Sequence, residues 1–222
     1  MQRPFLGKNH LHWCDACHVP VLARRCSCGA TTRVVPLTPP GDMRPAFPSD
    51  IERVNRIYED AFGTPLVPQG HLALLNKVPD DDRMEEIVVG GSVVGAIRYL
   101  VKEERWEAIP RLSALALMQP ERRVVVVDDG AVPSIQEGAS LLAPGLVSID
   151  DAVAAGDEVF VIGRSGEPAG VGRAKASALE ARGMERGSVV RMRKNQTSPC
   201  LPGEATWEKA VEANAAVLSE YE

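Results

Sequence analysis

VVVVDDGAVPSIQEGASLLAPGLVSID, residues 124–150, sets two short β-rich runs around a short helix signal, with glycines at 130, 138 and 145 where the chain must turn. The same alternation continues to about residue 195. Runs suited to strands fall near 124–128, 146–149, 158–164, 168–175 and 188–193, with the helix near 132–138. Five or six short strands separated by glycine turns and closing on one another predict a small β-barrel.

This stretch also carries a charge pattern. Arg191 and Arg193 lie two residues apart on the last predicted strand and therefore share a face, with Lys194 just beyond; Arg173 and Lys175 make a second such pair. Gly138 and Gly145 have no side chain to hold a phosphate or base away from the backbone amides. Asp128, Asp129, Glu137, Asp150 and Asp151 crowd the other end of the barrel, so an anionic partner would have to approach in one orientation. The competing reading is that the cations only solubilise an edge strand.

Toward the N-terminus, HWCDACHVPVLARRCSCG, residues 12–29, holds four of the chain's five cysteines as Cys14-x2-Cys17-x8-Cys26-x-Cys28. Two close-set pairs of thiolates satisfy tetrahedral zinc and leave no open position for catalytic water, so the expectation is a structural Zn2+ site whose binding energy folds a ribbon too small to build its own core. A thioredoxin-like pair would need a strand before Cys14 and a helix after it, and the Pro20 and Arg24-Arg25 context does not suit one. Cys200 stands far from the set. His10, His12 and His18 flank the ribbon and are read as surface or supporting histidines. They and Arg24, Arg25 and Arg33 are weaker candidates for phosphate contact, because a four-thiolate zinc centre is itself negative.

Between ribbon and barrel, the Pro-rich segment 36–48 reads as a linker, followed by a helix from Ser49 to Phe62 with a Ser49–Glu52 capping box and Gly63 as its stop. HLALLNKV, EEIVVGG and SVVGAIRYLV read as strands, the last two joined by a Gly90-Gly91 hairpin. Trp106 to Met118 reads as a helix interrupted at Pro110. A final helix begins after Pro202-Gly203, with Trp207, Ala210, Val211, Asn214, Val217, Leu218 and Tyr221 on one stripe. The expected architecture is α+β and multidomain: zinc ribbon 1–40, a small α/β unit 41–118, barrel 119–196, and C-terminal helix or linker 197–222.

The net charge of −5 argues weakly against a nucleic-acid partner as a whole, yet residues 164–194 carry eight Lys/Arg against three acids and residues 1–40 carry five against one. Such segregation points to a localised anionic partner. No apolar run is long enough to span a membrane and no secretory signal opens the chain, so a cytoplasmic protein is expected. Gly90-Gly91-Ser92 lacks the Lys-Ser/Thr of a phosphate loop. His71 has no nucleophile beside it, and Asp80, Asp81 and Asp82 read as an exposed turn. No catalytic residue is assigned.

Val127-Asp128-x-Gly130-Ala131, Gly138-Ala139, Pro144-Gly145, Gly156-Asp157-x-Val159 and Gly170-Val171-Gly172 with Ala174 together resemble the PUA domain, a pseudo-barrel, over residues 123–195. The resemblance implies binding of structured RNA, tRNA or rRNA, through the short helix, the loop Gly138, Ala139 and Ser140 that follows it, and the last strand from Val190 to Lys194; Gly145 joins these on the backbone-access argument above. In full, HWCDACHVPVL, CSCG, PLTPPGDMRPAFP and the barrel are similar to the N-terminal half of archaeal proteins of the phosphoadenosine phosphosulfate (PAPS) reductase family. Those proteins continue into an ATP-pyrophosphatase domain whose Ser-Gly-Gly-x-Asp-Ser loop is missing here. Two readings follow. The first is an RNA-binding protein that brings tRNA to a modifying or sulfur-transfer activity supplied by another domain or subunit. The second is a non-catalytic part of a PAPS-reductase-like enzyme of sulfur metabolism, with the barrel used for assembly.

Overall fold

The computed structural model describes residues 11–39, 41–78, 83–193 and 199–215. His10, Asp80, Asp81, Asp82, Lys194, Val217, Leu218 and Tyr221, named above, lie outside these. Three sheets form. A small antiparallel one, ordered β2-β1-β3, takes β1 (His12–Cys14), β2 (Val19–Val21) and β3 (Arg33–Val34). A five-stranded antiparallel sheet runs β4 (Asp42–Pro45), β5 (Ala73–Lys77), β6 (Met84–Val89), β7 (Ser92–Leu100) and β8 (Arg105–Pro110), in that order, with α1 (Pro48–Phe62) between β4 and β5 in the chain. The third is a six-stranded near-barrel, built from β9 (Val124–Val127), β10 (Leu141–Leu142), β11 (Leu146–Ile149), β12 (Glu158–Gly163), β13 (Pro168–Ala174) and β14 (Ser188–Met192) in the order β10-β14-β13-β12-β9-β11. Short helices α2 (Val132–Gln136) and α3 (Ala178–Gly183) belong to it, and α4 (Trp207–Ala213) follows.

The strands near 124–128, 146–149, 158–164, 168–175 and 188–193 form where the glycine-punctuated pattern puts them. Two elements escaped it. β10 is only two residues long, and α3 starts at a capping box in which Ser177 and Glu180 exchange hydrogen bonds. Neither has enough residues to display a period.

Other expectations need correcting. α1 begins at Pro48, with Pro at the position where a missing N–H costs nothing. Its reciprocal acid is Asp50, whose carboxylate accepts the Phe47 N–H at 2.9 Å, so Ser49 and Glu52 make no capping box. Arg44 pairs with Asp50 and holds its carboxyl down at about 2. Gly63 ends α1 in the left-handed conformation, as read. The segment from Trp106 to Met118 is not a helix. Residues 105–110 are β8, antiparallel to β7 with Tyr99 opposite Trp106, and only Leu112–Ala116 turn as a 3-10 helix. Pro110 fits because it ends an edge strand, where one ladder donor can be spared, and the pairing offered by β7 outweighs the helical spacing. The Pro-rich linker also contains a strand, β4, on the other edge.

The main core joins α1 to the five-stranded sheet through Val54, Tyr58, Phe62, Leu75, Ile87 and Ile97, and takes in Phe160 and Val171 from the outer face of the near-barrel. A separate core fills the barrel interior with Val125, Val127, Ile135, Val159, Val161, Val189 and Val190. The small sheet sits on the β6–β7 turn. Arg33 donates to the carbonyl oxygens of Gly91 at 2.6 Å and Gly90 at 2.8 Å, while its Nε binds Asp15, so Arg33 is a docking side chain and is not available to a phosphate. Trp13 covers the turn from above. A Cβ on Gly91 would stand 2.5 Å from Trp13 Cγ and from Arg33 Nη2, on a backbone at φ +70°. Gly91→Ala should therefore destabilise the protein by about 2 kcal/mol or more. An unfolding free energy in urea within about 0.5 kcal/mol of wild type would contradict this packing.

Candidate nucleic-acid interface and metal centre

The four cysteines converge. β1 delivers Cys14, the turn after it delivers Cys17, and the tight turn at Cys26–Gly29 delivers the second pair, its Gly29 N–H bonding the Cys26 carbonyl at 2.9 Å. All four sulfurs lie within 4.8 Å of one another, with Cys14 to Cys28 at 3.8 Å and Cys17 to Cys26 at 3.9 Å. Four ligands around a tetrahedral ion with bonds near 2.3 Å would be about 3.8 Å apart, so the donor set suits a metal. Burial, then crowding by the other sulfurs, pushes the Cys17 thiol up to about 12. The Ala30 N–H beside Cys28 brings that one down to about 7. The cage is braced from outside: Thr32 meets His12 Nδ1 at 3.1 Å, and Asn214, at the C-terminal cap of α4, accepts from Leu22 N–H and donates to the Pro20 carbonyl. His12 and His18 are not among the cluster's ligands, while Arg24 and Arg25 are exposed beside it.

The second candidate is the end of the near-barrel where α2 gives way to β10. Glu137, Gly138, Ala139 and Ser140 are all exposed, and a Cβ at Gly138, φ +103°, would meet nothing within 4 Å. Leu141 then pairs with Val190, which lays this loop beside β14. Gly145 is half-buried, its carbonyl accepting the Asp128 N–H. Across β13 and β14, Arg173 stands directly opposite Arg191. Ala174, Val190 and Met192 point into the barrel core, which leaves Arg173, Lys175, Arg191 and Arg193 on the outer side by strand alternation.

These cations are not equivalent. Lys175 and Arg191 are exposed. Arg173 donates to Glu158 at 3.2 Å and to Glu107 at 2.6 Å, while Arg193 pairs with Glu158 and lies 3.4 Å from the Pro110 carbonyl. Both acids are almost fully buried, Glu158 at 2% and Glu107 at 6%. Sequence reading missed them: Glu107 lay in the segment misread as helix, and Glu158 shows its role only once β12 is placed beside β13.

A family model for the PUA domain matches residues 123–195. Residues 123–195 are a PUA domain. Its fold likeness extends beyond the barrel. The structure of a conserved PUA domain protein from Thermoplasma acidophilum superposes with a TM-score of 0.55 at 24% identity, covering 71% of this chain and 95% of that one. A hypothetical protein from Pyrococcus horikoshii gives 0.53 at 25% identity, covering 72% and 97%. Among curated proteins, an uncharacterised protein of Methanocaldococcus jannaschii is 33% identical over 235 residues, spanning all of this chain and 49% of its own. A probable tRNA pseudouridine synthase B of Methanothermobacter thermautotrophicus is 41% identical over 70 residues, 32% of this chain and 22% of its own. The chain thus spans about half the length of the first relative and less of the second. Neither is named as a PAPS-reductase-family protein. Among the described residues, no helix is long and apolar enough to cross a membrane.

Proposed function

We propose that the protein binds structured RNA, with tRNA as the class, through the exposed loop Gly138, Ala139 and Ser140 and the neighbouring outer face of β14, and that it serves an RNA-modifying activity supplied by another domain or subunit. The observation that carries this reading is the PUA domain itself, present with its loop open to solvent and lying against a strand that bears an exposed arginine. The similarity to a tRNA pseudouridine synthase over 70 residues supports RNA modification as the setting. Lys175 and Arg191 contribute phosphate contacts, which hold an RNA in register without reading its sequence. Arg173 and Arg193 contribute less to this exposed face, since both are half-buried and held by the shared carboxylates Glu107 and Glu158. Lys194, named with them in the sequence, lies outside the described residues. The four-cysteine centre holds Zn2+ in this reading and acts as structure. The sulfur-transfer setting, with an ATP-pyrophosphatase domain of the PAPS-reductase kind, rests on the sequence resemblance alone.

Titration of fluorescent tRNA at several salt concentrations tests the interface. Affinity should fall steeply with salt, and the double variant Lys175→Glu with Arg191→Glu should bind at least tenfold more weakly, with a log–log salt slope reduced by about two. Binding of equal strength in the double variant would remove the interface from this face.

A further inference from the structure

Between the five-stranded sheet and the outer face of the PUA domain lies a cavity of about 610 Å³, within the range of small-molecule sites. One wall is Met84, Arg98, Ile109 and Arg111; the other is Glu158, Arg173, Arg191, Met192 and Arg193. Five guanidiniums thus surround one space. Among the described residues the carboxylates nearest them are three: Glu158, Glu107 bonded to Arg98 at 2.5 Å and to Arg173, and Glu86 at 3.9 Å from Arg111. Glu86 is already committed elsewhere, accepting from Thr38 and Asn76. Counted over the described residues, five positive groups against three negative ones leave an excess of two. Two buried donors, Arg98 Nε and Arg111 Nε, find no hydrogen-bond partner among the described residues. Buried donors left unpaired cost free energy that a ligand with several acceptor oxygens would recover. Burial, with Arg111 nearby, also brings Arg193 down to about 10, as expected of a cation lacking enough counter-charge.

We propose that this cavity is a binding site for a dianionic phosphate monoester, held between Arg98 and Arg111 on one wall and Arg191 and Arg193 on the other. Two features select this class. The charge excess matches a dianion, and planar guanidiniums present paired donors to phosphate oxygens. The space is far larger than a phosphate, which leaves room for an attached nucleoside. The monoester is either a mononucleotide or the phosphorylated end of an RNA chain. In the second case the site would act alongside the interface proposed above, but it does not depend on that interface.

Calorimetric titration of the intact, metal-loaded chain at fixed chloride tests this with five probes: inorganic phosphate, adenosine 5′-monophosphate, adenosine, and one short RNA with and without a 5′-phosphate. The monophosphate should bind and adenosine should not, or else the phosphorylated RNA should bind at least tenfold more tightly than its 5′-hydroxyl form; which arm responds identifies the source. Arg111→Gln, on the wall away from the PUA domain, and Arg191→Ala, an exposed side chain, should each weaken phosphate-dependent binding about tenfold or more. Glu86 keeps its Thr38 and Asn76 donors in the first variant. Unchanged melting temperatures would show that both variants are folded. Equal binding of phosphorylated and unphosphorylated probes overturns the proposal, as does phosphate binding undiminished in both variants. Salt-dependent tRNA binding that survives the first outcome would leave the RNA reading standing by itself.

Discussion

Replacing Cys14 and Cys17 together with serine should abolish metal binding and unfold the N-terminal ribbon, with an expected loss on the order of 10 kcal/mol of local stability, the scale of structural zinc in such modules. The size of the effect follows from how little else holds the ribbon together. Its strands are two or three residues long, and its buried side chains split into two small clusters, Cys14, Val19, Val21 and Cys26 with Leu72, Ala210 and Ala213 borrowed from elsewhere, and Leu11, Trp13 and Val35 against Leu74, Val88 and Val93. In the first of these, two of the four residues supplied locally belong to the four-cysteine cluster itself. The damage should therefore spread to α4, which rests on β2 and is held there by Asn214, while the PUA domain keeps its separate interior. Hydrogen exchange read by residue would show protection lost over 11–35 and 206–214 and retained over 123–193. Metal analysis of the wild type should give one zinc per chain. Native-level protection of the ribbon in the serine variant would sink the metal assignment.

Phe160→Ala should cost about 4 kcal/mol, in the range of large-to-small changes at fully buried aromatic positions. Phe160 sits on β12, yet its ring points away from the barrel interior and meets Phe62 of α1 edge to face, with centroids 5.1 Å apart. Val171 on β13 joins it in the main core. Truncation would open a void at the junction of two sheets, where backbone on both sides is fixed by strand pairing and collapse is limited. The barrel's own core does not include Phe160, so the PUA domain should survive and its coupling to α1 should weaken. Calorimetry should show a lowered and broadened transition, or two transitions in place of one. A loss below 1 kcal/mol would mean that the two sheets are held together by something other than this contact.

Much of this arrangement could be read from the chain because its signals are local. The barrel strands alternate and are separated by glycines, so residues 124–193 announce their order without reference to anything distant. The cysteine spacing is local too, and so is the Gly90-Gly91 turn. What failed depended on partners far away in sequence. Residues 105–110 carry apolar residues at spacings that suit a helix as well as a strand, and only the free edge of β7 decides between them. The same error hid Glu107. Strand alternation correctly put Arg191 and Arg193 on one side, but it had no means of showing that this side is turned toward Glu158, Arg98 and Arg111, because those meet across a junction of sheets. Arg33 shows the converse: a cation read as a phosphate contact proved to be committed to backbone carbonyls 57 and 58 residues away.

The bonds from Asn214 to Pro20 and Leu22 span 194 and 192 residues. During synthesis the ribbon leaves the ribosome about 190 residues ahead of the helix that covers its outer strand, so it is made long before it is completed. Until then the strand Val19–Val21 presents an uncovered apolar face, and any nascent-chain chaperone that protects this protein should be found on that strand throughout translation of the PUA domain.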